Sequence, residues 1–503
     1  MTGWETRTAP GGSRTRHSLV RWAARRMLVK LVALVVGFTL APIRMATAQD
    51  WPALRGPLSQ QAMPRQPLTL RDAVELALTN YPSVRASASR ERARNAEIWL
   101  AKTAYLPKGY LIVNENRGSM NRVASIVYPA HDIPVVADRV GETTSFRSFW
   151  AANAGAGIDW ELYDFGLRAA RVKMARAETG QAAAALSLTK LEVATAAADA
   201  FLAVTAAQLR LRAEQANVDR MQVFAQAVHA VVDSDLRPAV DASRADAELA
   251  LARNELIEAQ QNLDVALATL AERLGVAGTT LTIDPGPLAN MPPTAQPPPL
   301  PVLEDHPLAI VRDAGIKTVI AKQRVLSRTY FPHLHLESAI YGRSSGTDQR
   351  AWAAEQGFLP VIPNWAVGLT ISFPFLSIFE VKAQEQIVAK EKQAERALYD
   401  QAMQTLRGDD ARARAVVDGA IKIAGNAPAF VKAARETESR ARVRYDVGLG
   451  TVVDFAEAAR LLVRAEVTYS LAGLGVWRAF LAASVAHGDL KPFLQLVSSP
   501  QGK

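Results

Sequence analysis

The same landmarks occur twice along this chain, in the same order and at nearly the same spacing, so its fold has to be built from two equivalent halves. Asn80-Tyr81-Pro82 is followed by Ala104-Tyr105-Leu106-Pro107, and Asp305-His306-Pro307 by Thr329-Tyr330-Phe331-Pro332. Each pair of prolines is 25 residues apart and the halves are offset by 225. Farther on, Trp160 matches Phe373 and Asp241 matches Asp454, both at an offset of 213. The 12-residue difference falls between Pro107 and Trp160, in an expected loop, and leaves the segments after it equally long in both halves. The repeats are placed at 49–283 and 302–497, with a short tail at 498–503. The stretch 284–301 between them is rich in proline, breaks helix and central strand alike, and reads as a semi-rigid linker.

Each half reads as helix, strand, loop, strand, then two long helices. Strands are expected near 109–117, 150–163, 332–342 and 364–375, from alternation with period two. Trp365, Val367, Leu369, Ile371 and Phe373 fall on one face, against Ala366, Gly368, Thr370 and Ser372 on the other. Ala154, Ala156, Ile158, Trp160 and Leu162 alternate with Asn153, Gly155, Gly157, Asp159 and Glu161, and Leu334, Leu336 and Ile340 oppose His333, His335 and Glu337. Such strands suit a half-buried soluble sheet or a barrel with lipid outside and water inside. Helical seams follow: Leu188, Leu191, Thr195, Ala198, Leu202, Thr205 and Leu209 step by threes and fours, and Leu249, Leu256, Leu263, Leu267, Leu270 and Leu274 mark a returning helix. From Leu167 to Val232 there is no proline, which permits a helix of about 100 Å. The hairpin tips are expected near 233–241 and 446–454. Four strands cannot close a barrel and an open edge in lipid is costly, so the chain must oligomerise. Two copies would fill their own interior, whereas three leave a passage.

Charge is misleading at first sight. The net +9 suggests a nucleic-acid or membrane-surface partner, but residues 1–48 hold eight basic residues against Glu5, which leaves +2 for the remainder. That basic stretch runs into the apolar Leu31–Ala41 and then Ala46-Thr47-Ala48, the pattern of a signal peptide cleaved after Ala48. Translation from Met27 would give a more compact signal than translation from Met1. No later stretch offers about 18 uninterrupted apolar residues for a membrane helix. With no cysteine, disulfides, thiolate metal sites and a lipidated N-terminal cysteine are all excluded.

Three segments resemble the TolC-like outer membrane efflux proteins, over about Leu68 to Leu496: Leu68–Pro82, Trp160–Gly166 with Ala170-Arg171-Val172, and Ala441–Glu457. The resemblance implies an α+β membrane protein in which each repeat's β-hairpin joins a trimeric 12-stranded outer-membrane barrel. Its long antiparallel helices would form a coiled-coil tunnel through the periplasm. It also implies a passive exit duct for tripartite efflux or type I secretion, a homotrimer in outer-membrane lipid that docks a periplasmic adaptor and an inner-membrane pump. Asp454 and Glu457, with Asp241 at the other tip, would ring a periplasmic aperture, where carboxylates favour cations. Thr451 with Asp454 also fits a helix capping box, and both roles are compatible. Gly448 and Gly450 read as turn residues that tolerate positive φ, and with Thr451 and Asp235 they mark the tips where an adaptor would dock. The first tip departs from the pattern: Asp235 stands where the second has Gly448, and Arg244 where it has Glu457.

Other chemistry is set aside. Gly342-Arg343-Ser344-Ser345-Gly346 matches a nucleophile elbow only formally, since no helix is expected after it. His333 and His335 share a strand face without an obvious third ligand. No Walker or dinucleotide motif occurs, so neither enzyme activity, a cofactor nor a nucleic-acid partner is expected. A periplasmic coiled-coil adaptor or scaffold is the alternative; an adaptor should carry one helical hairpin and a lipoyl-like domain rather than two repeats.

Overall fold

The computed structural model describes residues 67–119, 148–234, 238–292, 296–297, 301–345, 360 and 362–498. Ala48 and its leader, Asp235 and Gly346 lie outside the described residues. The chain divides into two units, one holding Lys102–Arg168 and Arg328–Phe379, the other most of the helices.

In the first unit, β1 (Lys108–Ser119), β2 (Ser148–Tyr163), β3 (His333–Ser345) and β4 (Ile362–Ser372) form one antiparallel sheet in the order β1-β2-β3-β4. The register aligns the alternating faces. Leu111 stands opposite Ala156, Ala156 opposite Ile340, and Ile340 opposite Trp365. Trp160, Leu336 and Leu369 make a second such row. Directly opposed residues share a face, so one side of the sheet is mainly apolar, interrupted by Ser338 between Ile158 and Val367 and by Glu115 opposite Ala152. That side is open: Ile340, Trp365, Val367, Leu369 and Ile371 are each 64–79% exposed. The opposite face carries Gly157, Ala339 and Ala366 in one row and Glu161, His335 and Thr370 in another. β4 stops at Ser372, short of the expected 375, because Pro374 has no N–H to continue the ladder and a short 3-10 turn, Phe375–Ser377, takes over.

The helices are α1 (Leu70–Asn80), α2 (Pro82–Thr103), α3 (Leu167–Val232), α4 (Ala239–Arg273), α5 (Pro307–Leu326), α6 (Ile378–Asp446), α7 (Val452–Ala486) and α8 (Lys491–Ser498). α1 starts on a capping box, Thr69 with Asp72, and ends where Pro82 opens α2. α3 has 66 residues and α6 has 69, each about 100 Å of helix. In the second unit the expected seams are packed: Ala198, Leu202 and Thr205 of α3 and Leu270 and Leu274 at the end of α4 are fully or almost fully buried. The main core joins them to α1, to Trp477, Phe480 and Leu481 of α7, and to Phe493 of α8. Many of the remaining core positions are alanines, among them Ala197, Ala271, Ala424 and Ala427, which let helices approach closely.

The linker departs from the sequence reading. Its first part is not a spacer. Gly286–Ala289 forms a 3-10 turn whose Leu288 is 1% exposed within the main core. Helix α7, by length and composition, is the one helix among the described residues apolar enough to pass for a membrane span, but most of that apolar stretch is buried inside the protein.

Candidate functional site

The second helical tip is built by a stop, a turn and a restart. Gly448 adopts φ +85, and the N–H groups of Gly448 and Leu449 donate to the carbonyls of Tyr445 and Arg444 at 3.0 and 2.9 Å. This pair of bonds is a Schellman closure of α6, which needs a left-handed residue at Gly448. Gly450 has a different role from the one expected. It has no positive φ; instead a side chain there would come within 3.2 Å of the Tyr445 backbone nitrogen, so the glycine lets the turn lie against the end of α6. Gly448→Ala is expected to cost about 1–2 kcal/mol, the left-handed penalty for an L-residue. Gly425→Ala, in open space along α6, should cost nothing or stabilise. Denaturant midpoints of the two variants check the contrast.

α7 then restarts on a full capping box. The Asp454 N–H donates to Thr451 Oγ at 3.2 Å, and the Thr451 N–H and hydroxyl both reach Asp454 Oδ2 at 2.9 Å. The Thr451 backbone hydrogen bond first, then its hydroxyl and the nearby Arg444, hold the Asp454 carboxyl below its usual range. Asp454 therefore stays ionised while it caps, and it is exposed, as is Glu457 one turn on. Beneath the tip Phe224 stacks on Phe455 at 3.9 Å between centroids and meets Tyr445 edge-on at 5.3 Å, so that α3, α6 and α7 share a small core. At the other tip Asp241 lies in the first turn of α4, its N–H on the Pro238 carbonyl, and it is only 7% exposed, unlike Asp454 and Glu457.

A second constellation, which sequence reasoning took only as a family landmark, lies where β2 turns into α3. Phe165 and Gly166 both take positive φ, and Asp164 receives the N–H groups of Gly166 and Arg168. The Arg168 guanidinium is 4% exposed. It pairs with Asp164 at 3.0 Å, donates to the Glu161 carbonyl at 2.6 Å and covers the Tyr105 ring at 4.7 Å. The legible signal was Asp164 two residues before a glycine and four before an arginine, at a strand-to-helix turn. On the sheet's polar face His333 and His335 each meet a carboxylate of β2, Glu161 at 2.6 Å and Asp159 at 3.0 Å.

The family model described as outer membrane efflux protein matches residues 73–276 and 320–482. Protein CyaE of Bordetella pertussis is 26% identical over 460 residues, which is 88% of each chain. Among solved structures, the MtrE outer membrane channel of Neisseria gonorrhoeae, in its open state, aligns with TM-score 0.65 at 19% identity over 84% of this chain and 89% of its own. The outer membrane protein VceC of Vibrio cholerae aligns at 0.64 and 17%, over 84% and 96%. At these identities the structural likeness is one of fold.

Proposed function

From the premise that this chain belongs to the outer membrane efflux protein family, we propose that three copies join their sheets edge to edge into a twelve-stranded barrel, the outer-membrane end of an exit duct for efflux or secretion. The observation that carries this reading is the apolar face of the sheet. Large apolar side chains standing 64–79% exposed side by side on one face exceed what a soluble monomer presents to water, and lipid is the solvent that suits them. The edge strands β1 and β4 argue for the rest: in a bilayer their unpaired backbone groups would each cost several kcal/mol unless another copy's edge met them. The two hairpins act as repeats, each supplying one pair of strands and one pair of long helices. An N-terminal signal cleaved after Ala48 would deliver the chain to the periplasm.

In this reading the helices form the periplasmic tunnel and the tips its inner end. The tip turns Gly448, Gly450 and Thr451, and Asp235 at the first tip, face a periplasmic adaptor fed by an inner-membrane pump. Asp454 and Glu457 line the aperture in threefold copies, and Asp241 supports the first tip beside it. Asp454 would serve twice, since capping leaves it ionised and exposed.

Planar-bilayer conductance of the mature protein tests the reading, after its trimer is verified by heat-sensitive migration on a gel. Discrete, cation-preferring channels are expected, and Asp454→Asn/Glu457→Gln should move the cation-to-anion permeability ratio towards unity. Unchanged selectivity would remove the acidic aperture and leave the duct. A monomer that never inserts would overturn the duct.

A further inference from the structure

β3 presents His333 and His335 two residues apart, and so on one side of the strand, the polar side of the sheet. Their rings are 6.4 Å apart between centroids, and their side chains keep 16% and 28% of their exposure. Each imidazole is held from behind by β2: His333 Nδ1 lies 2.6 Å from Glu161 Oε1, and His335 Nδ1 lies 3.0 Å from Asp159 Oδ1. An ionised carboxylate can only accept, so Nδ1 carries the hydrogen in both rings, and the lone pair of the neutral ring sits on Nε2. Among the described residues no hydrogen bond occupies either Nε2. Glu161 is itself steadied, its other oxygen 3.6 Å from the buried Arg168 guanidinium. Across the strand the neighbours are small: Ser372 faces His333 and Thr370 faces His335.

We propose that His333 and His335 form a two-nitrogen chelate for a divalent transition-metal cation of the zinc, nickel or copper(II) kind. Imidazole nitrogen suits these ions, and a carboxylate behind each ring is the arrangement that fixes the tautomer of metal-binding histidines and raises their basicity. Chelation requires side-chain rotations that bring both Nε2 atoms onto one ion from rings now 6.4 Å apart and tilted 44° to each other. Among the described residues no group of three metal-ligating side chains comes together. The remaining positions of the ion are therefore left to water or to donors on a passing molecule, and the ion is exchangeable rather than resident. The effect on transport rests on the duct reading above, in which this face lines the water-filled passage; binding itself does not.

The test uses mature protein without a histidine tag and copper(II) as the probe. Electron paramagnetic resonance should show one ion per chain with coupling to two equivalent nitrogens, lost in His333→Gln/His335→Gln and unchanged in Asp454→Asn. Asp159→Asn, which weakens only the support behind His335, should reduce affinity about 10–100-fold without abolishing the signal. Zinc added to the bilayer chamber should lower wild-type conductance but not that of the double variant, and magnesium should do neither. Equal copper binding by the double variant, or a single-nitrogen signature, overturns the site. Two-nitrogen binding by a protein that forms no channels would uphold the site and reject the duct.

Discussion

Arg168→Ala is expected to cost about 3–5 kcal/mol, because it leaves Asp164 buried and ionised without its partner. The loss goes beyond one ion pair. The guanidinium also satisfies the Glu161 carbonyl and covers Tyr105, and it faces the Glu161 carboxylate that holds His333. One side chain therefore ties together the end of β2, the residues before β1, the start of α3 and, through Glu161, β3. Arg168→Lys should recover only part of the loss, since an ammonium cannot serve several acceptors in the fixed fork of a guanidinium. Two readouts check this: the fraction of heat-sensitive trimer on a gel, and the denaturant midpoint. Acid supplies an independent readout. Burial alone would raise the Asp164 carboxyl, but the Arg168 and Gly166 N–H groups and the Arg168 charge outweigh it and hold it below its usual range. A carboxyl depressed in the folded state contributes stability that is present above the ordinary range near pH 4 and is lost as pH falls through its folded value. Wild type should lose that increment on acidification, and Arg168→Ala should show a flatter dependence over the same interval.

How much of this was legible beforehand depended on the range over which each feature is determined. The faces of the strands follow from the period of two, and Trp365, Val367, Leu369 and Ile371 lie on one open side as their alternation requires. Register is not local. Glu161 and His333 belong to different halves of the chain, so nothing near either residue announces that they meet, and the pair of histidines looked unsupported. The capping box at Thr451 was readable because its donors and acceptors lie within four residues. Gly450 was misread because a close approach and a left-handed turn both call for glycine, and only the path of the chain tells them apart. Asp241 shows the same limit for burial: its position at a helix start is clear in the sequence, but the packing that leaves it 7% exposed comes from other helices. The segment 284–301 illustrates composition overruled by one residue, since prolines describe a spacer while Leu288 enters the core.

That docking of the linker leads to a second large effect. Trp477→Ala is expected to cost about 3–5 kcal/mol, at the upper end of large-to-small core substitutions, because the indole is fully buried. It meets Phe480 and Phe493 edge-on at 6.3 and 6.2 Å between centroids, which joins α7 to α8. Its Nε1–H donates to the Asn290 carbonyl at 2.9 Å, so the cavity would also leave a linker carbonyl without its donor. The site cannot easily collapse: the linker already lies against α7 at Gly473, where a side chain would come within 3.2 Å of the Asn290 oxygen and the Met291 nitrogen. Trp477→Phe separates the two contributions. It keeps most of the apolar volume and removes the donor, so it should cost much less than the alanine variant while still freeing the linker. Hydrogen exchange of Leu288 and Asn290 should rise in both variants, since each amide donates within the turn that the indole anchors. A loss of stability in Trp477→Ala with exchange at those two amides unchanged would mean that the linker turn holds without the indole, and that the tryptophan acts through α8 alone.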